Sequence, residues 1–264
     1  MRKRLVLKIG SSTLTQGTHI ISRGKVEDIA RQLVALKDEY EILIVSSGAI
    51  ATARQAIKTQ GNDPIAVKQA LAAIGQPILM RIYQEVFQDY GLRMAQCLLS
   101  HTDFERDSSK VNTQNTLEVL LANGYIPIIN ENDTTTTAEI RFGDNDYLAA
   151  LVAHLVQAHL LILASNIEGL FAEDPQTNPQ AKLIKSVRDI SEVAHMVGPS
   201  VSSNGTGGMA SKLKAAQYCQ ENGIELWILN GNHQNFLVHA LGGIREFTRF
   251  LPIKENGGNN GQTF

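Results

Sequence analysis

The stretch RLVLKIGSS at residues 4–12 decides the fold of this chain. Apart from Lys8, residues 5–9 are all Leu, Val or Ile, a composition typical of a parallel strand buried on both faces. Gly10 and two serines follow at once, so we expect the strand to end in a small polar loop. Ligands of open α/β sheets bind at the carboxyl ends of such strands. Lys8 can hold a phosphate there, or it can be the solvated lysine of an ordinary turn.

Apolar runs of the same kind recur along the chain. The intervals between them carry apolar residues at helical spacing, as in Val26–Val34, Leu117–Leu121 and Ala215–Tyr218. Strands that alternate with helices predict an α/β fold, a three-layer αβα sandwich with a mostly parallel central sheet. The predicted strands are Arg4–Ile9, Glu41–Val45, Arg93–Leu99, Tyr125–Asn130, His159–Ala164 and Glu225–Leu229.

Composition favours a single globular domain. The chain has 264 residues, of which 43% are hydrophobic and 19% charged, so a sizeable core is available. We expect one domain at residues 1–253 and a flexible tail, rich in Gly and Asn, at residues 254–264. The formal net charge of -2 gives no broad basic surface, so we expect no binding to nucleic acid.

Three further features predict a cytoplasmic protein. Its two cysteines are too few for a disulfide framework, which fits a reducing compartment. The apolar run after the basic residues at the N-terminus is too short for a signal peptide. The longest apolar segment, Leu148–Ala164, is interrupted by two histidines and a glutamine, so we expect no membrane span.

Polar loops follow several of the predicted strands. Ser46-Ser47-Gly48 opens a helix, whose N-terminal N–H groups favour an anion, although a serine there can simply cap the helix. The stretch from Asn130–Asp133 through Gly143–Asp146 contains five carboxylates and three amides within 17 residues. This cluster can be a solvated loop, a site for a divalent metal, or a site for the ammonium and polar groups of an amino acid.

A glycine-rich loop, residues 202–212, opens a late helix and ends at Lys212. Its consecutive N–H groups can cradle a nucleotide phosphate, and the lysine can reach the bridge between the β- and γ-phosphates. The order of residues is neither that of a Walker A loop nor that of the dinucleotide fingerprint. Two lysines with an aspartate between them suit phosphoryl transfer, which depends on positioning and on neutralising charge. A carboxylate acceptor would need no general base, because it is already ionised.

These motifs, taken in order, resemble the amino acid kinase family from about residue 4 to 250. The resemblance is carried by VLKIGSS at 6–12, SSGAIA at 46–51, NEND at 130–133, AEIRFGDND at 138–146, GLF at 169–171 with Asp174-Pro175, and GTGGM at 205–209 through Lys212. It implies the carbamate kinase-like fold and ATP-dependent phosphorylation of the side-chain carboxylate of L-glutamate, the first step of proline synthesis. Magnesium, held largely by the ATP phosphates, a homo-oligomer and feedback by proline are further implications.

The resemblance also implies roles for single residues. Lys8, Asp146 and Lys212 would be catalytic, with Asp146 orienting the two lysines. Substrate glutamate would be bound by Ser47, Asp133 and Asn145. The nucleotide would be bound by Lys8, Ser165, Asn166, Thr206, Gly207, Gly208, Met209, Ala210, Ser211 and Lys212, and no protein residue would ligate a metal.

The sequence departs from the family in two places. Ser165-Asn166 stands where the family commonly has Thr-Asp, and the chain ends before a C-terminal PUA domain could fit.

Three alternatives stay open: another member of the family acting on acetylglutamate, aspartate, carbamate or a nucleoside monophosphate, a non-catalytic amino-acid sensor on the same fold, and a dinucleotide oxidoreductase. Retention of both lysines argues against the sensor, and the missing fingerprint argues against the oxidoreductase.

Overall fold

A computed structural model describes residues 2–18, 20–54, 63–135, 145–173, 175, 177–194 and 208–253. The predicted tail at residues 254–264 lies outside these ranges, and so do two predicted nucleotide contacts, Thr206 and Gly207. No helix in the described ranges is long and apolar enough to cross a membrane.

One mixed sheet organises the described residues. Its strands are β1 (Lys3–Ile9), β2 (Tyr40–Ser46), β3 (Arg93–Leu99), β4 (Tyr125–Glu131), β5 (Leu160–Ser165), β6 (Ser186–Val187), β7 (Glu225–Asn230) and β8 (Thr248–Phe250). They lie in the order β3-β4-β2-β1-β5-β7-β8-β6. Each pair of neighbouring strands is parallel except β7 and β8.

Helices cover both faces of this sheet. They are α1 (Ser11–Thr15), α2 (Arg23–Leu36), α3 (Ala49–Ala53), α4 (Ile65–Asp89), α5 (Asp107–Ala122), α6 (Asn145–Leu155), α7 (Ser191–Ala194), α8 (Met209–Glu221) and α9 (Phe236–Leu241), with a short 3₁₀ turn at His101–Phe104. Alternate side chains of β1 enter two separate cores. Leu5 and Leu7 pack with α2, α4 and α9, whereas Val6 packs with α5, α6 and α8. The predicted three-layer αβα sandwich is therefore confirmed.

The six strands predicted from sequence are confirmed within one residue at each end. β6 and β8 were not predicted. They contain two and three residues, too few to show a hydrophobic period, and they form through pairing with each other and with β7. Tertiary contacts rather than local sequence therefore determine that these two short segments form strands.

The central strands bring their carboxyl ends together. Lys8 of β1 pairs with Val45 of β2 on one side and with Leu163 of β5 on the other. Just beyond the strands, the N–H of Ser47 donates to the carbonyl of Ile9 at 3.0 Å. The polar loops that follow β1, β2 and β5 therefore start at one edge of the sheet.

Gly75 lets α4 lie directly against the first turn of α3. A Cβ atom added at this glycine would stand 1.8 Å from the carbonyl oxygen of Ala49. The same helix anchors the end of β2, because the hydroxyl groups of Tyr83 and Ser46 lie 3.0 Å apart in the core. The position of the Ser47–Gly48 loop thus depends on the absence of a side chain at Gly75 in α4.

We expect Gly75→Ala to lower the free energy of unfolding by roughly 2–3 kcal/mol, because backbone must move to admit the new methyl group. Urea denaturation measures this change. Gly24→Ala is the matched control, since its Cβ would meet only the hydroxyl of Ser22 at 3.9 Å within a helix. Equal stability of the two variants would show that α3 and α4 are not held this closely.

Candidate active site

A buried carboxylate between two lysines lies at the centre of the site. Asp146 Oδ1 is 2.5 Å from Lys8 Nζ, and its Oδ2 is 2.9 Å from Lys212 Nζ. The three residues are 1%, 8% and 5% exposed, in the order Asp146, Lys8, Lys212. Ser211 adds a hydroxyl that donates to Oδ2 at 3.0 Å. The structure therefore brings together the three predicted catalytic residues.

The charge of Asp146 is fixed by these neighbours. Burial alone would raise the pKa of this carboxyl, but the ammonium groups of Lys8 and Lys212 outweigh burial and hold the pKa well below its usual range. Asp146 is thus an anion at any physiological pH. The triad carries one net positive charge, which it can offer to phosphate oxygens.

Two helix starts hold this arrangement. Asp146 lies in the first turn of α6, where the helix dipole favours an anion. Lys212 lies in the first turn of α8, which begins after the extended Gly208. Because α6 and α8 pack against each other, the carboxylate and the lysine meet across their contact. Lys8 reaches the same point from the end of β1.

A chain of amides runs from the triad along the ends of β2 and β4. The side-chain Nδ2 of Asn145 donates to Ser47 Oγ at 2.9 Å and lies 3.0 Å from Asn130 Oδ1. Asn130 in turn donates to Gln76 Oε1 at 2.8 Å. Two buried atoms of this chain, Asn145 Oδ1 and Gln76 Nε2, have no hydrogen-bond partner within the described residues. An acceptor and a donor are thus left for a ligand.

A cavity of about 240 Å³ adjoins this row of amide side chains. Among its walls are Ala49, Gln76, Glu131 and Asp133. Burial, and then the nearby Glu131 carboxylate, raise the pKa of Asp133 to about 6. Ionising Asp133 therefore costs folding free energy as the pH rises from 3.8 towards 6, and a bound cation would recover that cost.

Those predicted nucleotide residues that the structure describes occupy the neighbouring part of the sheet edge. Ser165 ends β5, and its hydroxyl donates to the exposed Asn166 at 3.3 Å. Gly208, Met209, Ala210 and Ser211 form the start of α8, which carries Lys212. Of this group, Lys8, Ser211 and Lys212 converge on Asp146, whereas Met209 packs against the core and Ala210 is exposed.

Gln76 was missed in the sequence analysis, and Asn130 was recognised only as part of a loop. The clue to Gln76 was a polar residue, followed by Pro77, inside an otherwise apolar stretch of α4. Such a polar residue does not indicate a site by itself. Only the packing of α4 against the ends of β2 and β4 places this amide beside Asn130.

The described residues contain no group of three or more His, Cys, Asp or Glu side chains that could hold a metal ion. Both carboxylate oxygens of Asp146 already face lysine ammonium groups. A divalent ion at this site would therefore need most of its ligands from a bound substrate.

The amino acid kinase family model matches residues 3–230, and the chain belongs to that family. Within it, the chain is 43% identical to a protein of Geobacter sulfurreducens over 257 residues, which is 96% of this chain and 69% of the relative. It is also 43% identical to a protein of Clostridium acetobutylicum over 252 residues, which is 94% of both chains. Both relatives bear the name glutamate 5-kinase.

A solved structure shows the same fold. The UMP kinase from Ureaplasma parvum matches with a TM-score of 0.70 and 19% sequence identity, over 95% of this chain and 99% of that one. At this identity the likeness establishes the fold alone.

We expect Asp146→Asn to lower the free energy of unfolding by about 3–5 kcal/mol, because two buried ammonium groups lose their counter-ion. Urea denaturation at neutral pH checks this value. Asp38→Asn, at an exposed turn residue, is the control and should change stability by about 0.5 kcal/mol or less. A neutral result for Asp146→Asn would mean that the lysines are not held by this carboxylate.

Proposed function

We propose that this protein is a glutamate 5-kinase, which transfers the γ-phosphoryl group of ATP to the side-chain carboxylate of L-glutamate and forms L-glutamyl 5-phosphate. The observation that carries the proposal is the buried triad of Lys8, Asp146 and Lys212, with one net positive charge at the carboxyl edge of the sheet. Family membership and the names of the 43% identical relatives support it further.

The triad supplies what phosphoryl transfer to a carboxylate requires. An oxygen of the glutamate side chain attacks the γ-phosphorus, the bond from that phosphorus to the bridging oxygen breaks, and ADP leaves with the electron pair. Negative charge spreads over the transferring oxygens, where Lys8 stabilises the phosphoryl group and Lys212 the leaving side. Asp146 keeps both ammonium groups aimed at this point. No proton is removed from the acceptor, so no histidine is needed as a base.

The cavity beside the amide side chains, which we call the acceptor cavity, suits a small amino acid. Its volume of about 240 Å³ lies beside Asp133, a carboxylate that would gain from a bound ammonium group. Gln76 Nε2 offers a donor to a carboxylate, and Asn145 Oδ1 offers an acceptor to an ammonium group. Ser47, Asp133 and Asn145 are therefore the proposed glutamate-binding residues, to which we add Gln76.

Several finer features belong to the same proposal. ATP would enter as its magnesium complex and be held at Ser165, Asn166 and the segment from Thr206 to Lys212. The reaction would be the first step of proline biosynthesis in the cytoplasm, which suits the two free cysteines, with feedback by proline on a homo-oligomer. Residues 1–253 would act as one catalytic domain.

Acyl phosphate formation tests the function directly. Purified protein is incubated with Mg·ATP and hydroxylamine, with L-glutamate, N-acetyl-L-glutamate, L-aspartate or no acceptor in parallel. We expect hydroxamate with L-glutamate alone. Product with another acceptor only would retain the kinase mechanism and refute the proposed substrate, and ATP binding without product from any acceptor would favour the sensor.

We expect Lys8→Ala and Lys212→Ala each to lower kcat by about a hundredfold or more while changing the Kd for L-glutamate by less than about threefold, because both charges act mainly on the transition state. Hydroxamate rates and calorimetric titration measure the two quantities. Near-normal turnover of either variant would remove that lysine from the mechanism. Lys182→Ala, between β5 and β6, serves as the control.

The pH dependence of acceptor binding follows from Asp133. As the pH falls through about 6, this carboxyl takes up a proton and loses its attraction for the ammonium group, so the KM for L-glutamate should rise below pH 6 and stay level above it. In Asp133→Asn, KM should be high and nearly constant from pH 5.5 to 8. A wild-type profile retained in that variant would assign the titration to another group.

A further inference from the structure

A row of aromatic rings lies beside the triad, on the side of α6 and α8. His101 stacks on Tyr147, with ring centroids 5.7 Å apart and ring planes 9° apart. Tyr147 contacts Tyr218 edge to face, and Tyr218 contacts His154 in the same way. Because Tyr147 follows Asp146 directly, the ring of His101 is fixed against the first turn of the catalytic helix.

His101 also carries a buried nitrogen close to Glu131, a residue that lines the cavity. Its Nδ1 is shielded from solvent and forms no hydrogen bond with any residue the structure describes. Glu131 Oε1 lies 3.6 Å from this nitrogen. That distance is too long for a hydrogen bond but short enough for one to form after a small shift of either side chain. A buried nitrogen left in this state is costly and calls for a partner.

Glu131 belongs to the wall of the acceptor cavity. It ends β4, is 3% exposed, and lies between Asn130 of the amide chain and the loop that carries Asp133. Its charge contributes to the raised pKa of Asp133. The position of the Glu131 side chain therefore influences how strongly Asp133 attracts an ammonium group.

We propose that His101 is a positioning residue for the acceptor: its Nδ1–H donates to Glu131 when the amino acid is bound, and so holds the acidic wall of the cavity in place. The inference rests on the proposed function, since it assigns a residue that tunes the same site. Both the neutral Nδ1–H tautomer and the imidazolium can make this bond. Hydrogen bonds of this kind commonly shorten only in the substrate complex.

Three substitutions separate the donor from the ring. His101→Phe keeps an aromatic ring on Tyr147 but has no donor. His101→Asn loses the ring but keeps an N–H at the δ position, and His101→Leu has nearly the shape of Asn without any donor. We expect His101→Phe and His101→Leu to raise the KM for L-glutamate about tenfold, the worth of a charge-assisted hydrogen bond. His101→Asn should stay within about twofold of wild type.

The same variants should leave kcat and the KM for ATP within about twofold of wild type, because the triad is untouched. His154→Phe is the matched control: it replaces the histidine at the other end of the aromatic row, and it should behave as wild type. Calorimetric titration with L-glutamate gives a readout that does not depend on turnover, and melting temperatures report on folding.

Each other outcome refutes the inference. Wild-type KM values in His101→Phe would show that no donor is needed, and equal losses in His101→Asn and His101→Phe would show that the ring alone matters. If His101→Phe does not fold, the comparison of His101→Asn with His101→Leu decides. A wild-type protein that neither binds nor phosphorylates L-glutamate would refute the proposed function itself, and the inference with it.

Discussion

The interaction on which this structure depends is the contact of one buried carboxylate with two buried ammonium groups. Taking three charges out of water is expensive, and the arrangement is stable only because each oxygen of Asp146 meets a lysine. The lysines come from β1 and α8 and the carboxylate from α6, so one ion cluster ties together three elements that are distant in sequence. It leaves one net positive charge at the carboxyl edge of the sheet.

The fold makes this cluster possible through the geometry of a parallel sheet. Neighbouring strands in register end at the same edge, and short loops there lead directly into helices whose first turns point back at that edge. The amide chain from Ser47 through Asn145 and Asn130 uses the same edge. Rigid support beneath it comes from α4, where the absence of a side chain at Gly75 and the hydroxyl of Tyr83 set the position of the loop after β2.

In the proposed mechanism, phosphoryl transfer and choice of acceptor depend on different parts of this edge. The triad is buried and charged, whereas the acceptor cavity is lined by Gln76, whose Nε2 has no hydrogen-bond partner within the described residues, and by a carboxyl whose pKa is about 6. A UMP kinase shares the fold at 19% identity, so the fold does not decide what is phosphorylated. In the proposal, that choice depends on Asp133 and Gln76 in the cavity wall and on the approach of His101 to Glu131.

The sequence by itself determined the six long strands and the class of the fold, because buried parallel strands leave nearly continuous apolar runs that can be recognised locally. It also indicated Lys8, Asp146 and Lys212, because their motifs occur in the order found in the amino acid kinase family. Local sequence could not give β6 and β8, the role of Gln76, or the approach of His101 to Glu131. These depend on contacts between segments far apart in the chain, and only the packing of helices and strands in three dimensions decides which side chains meet.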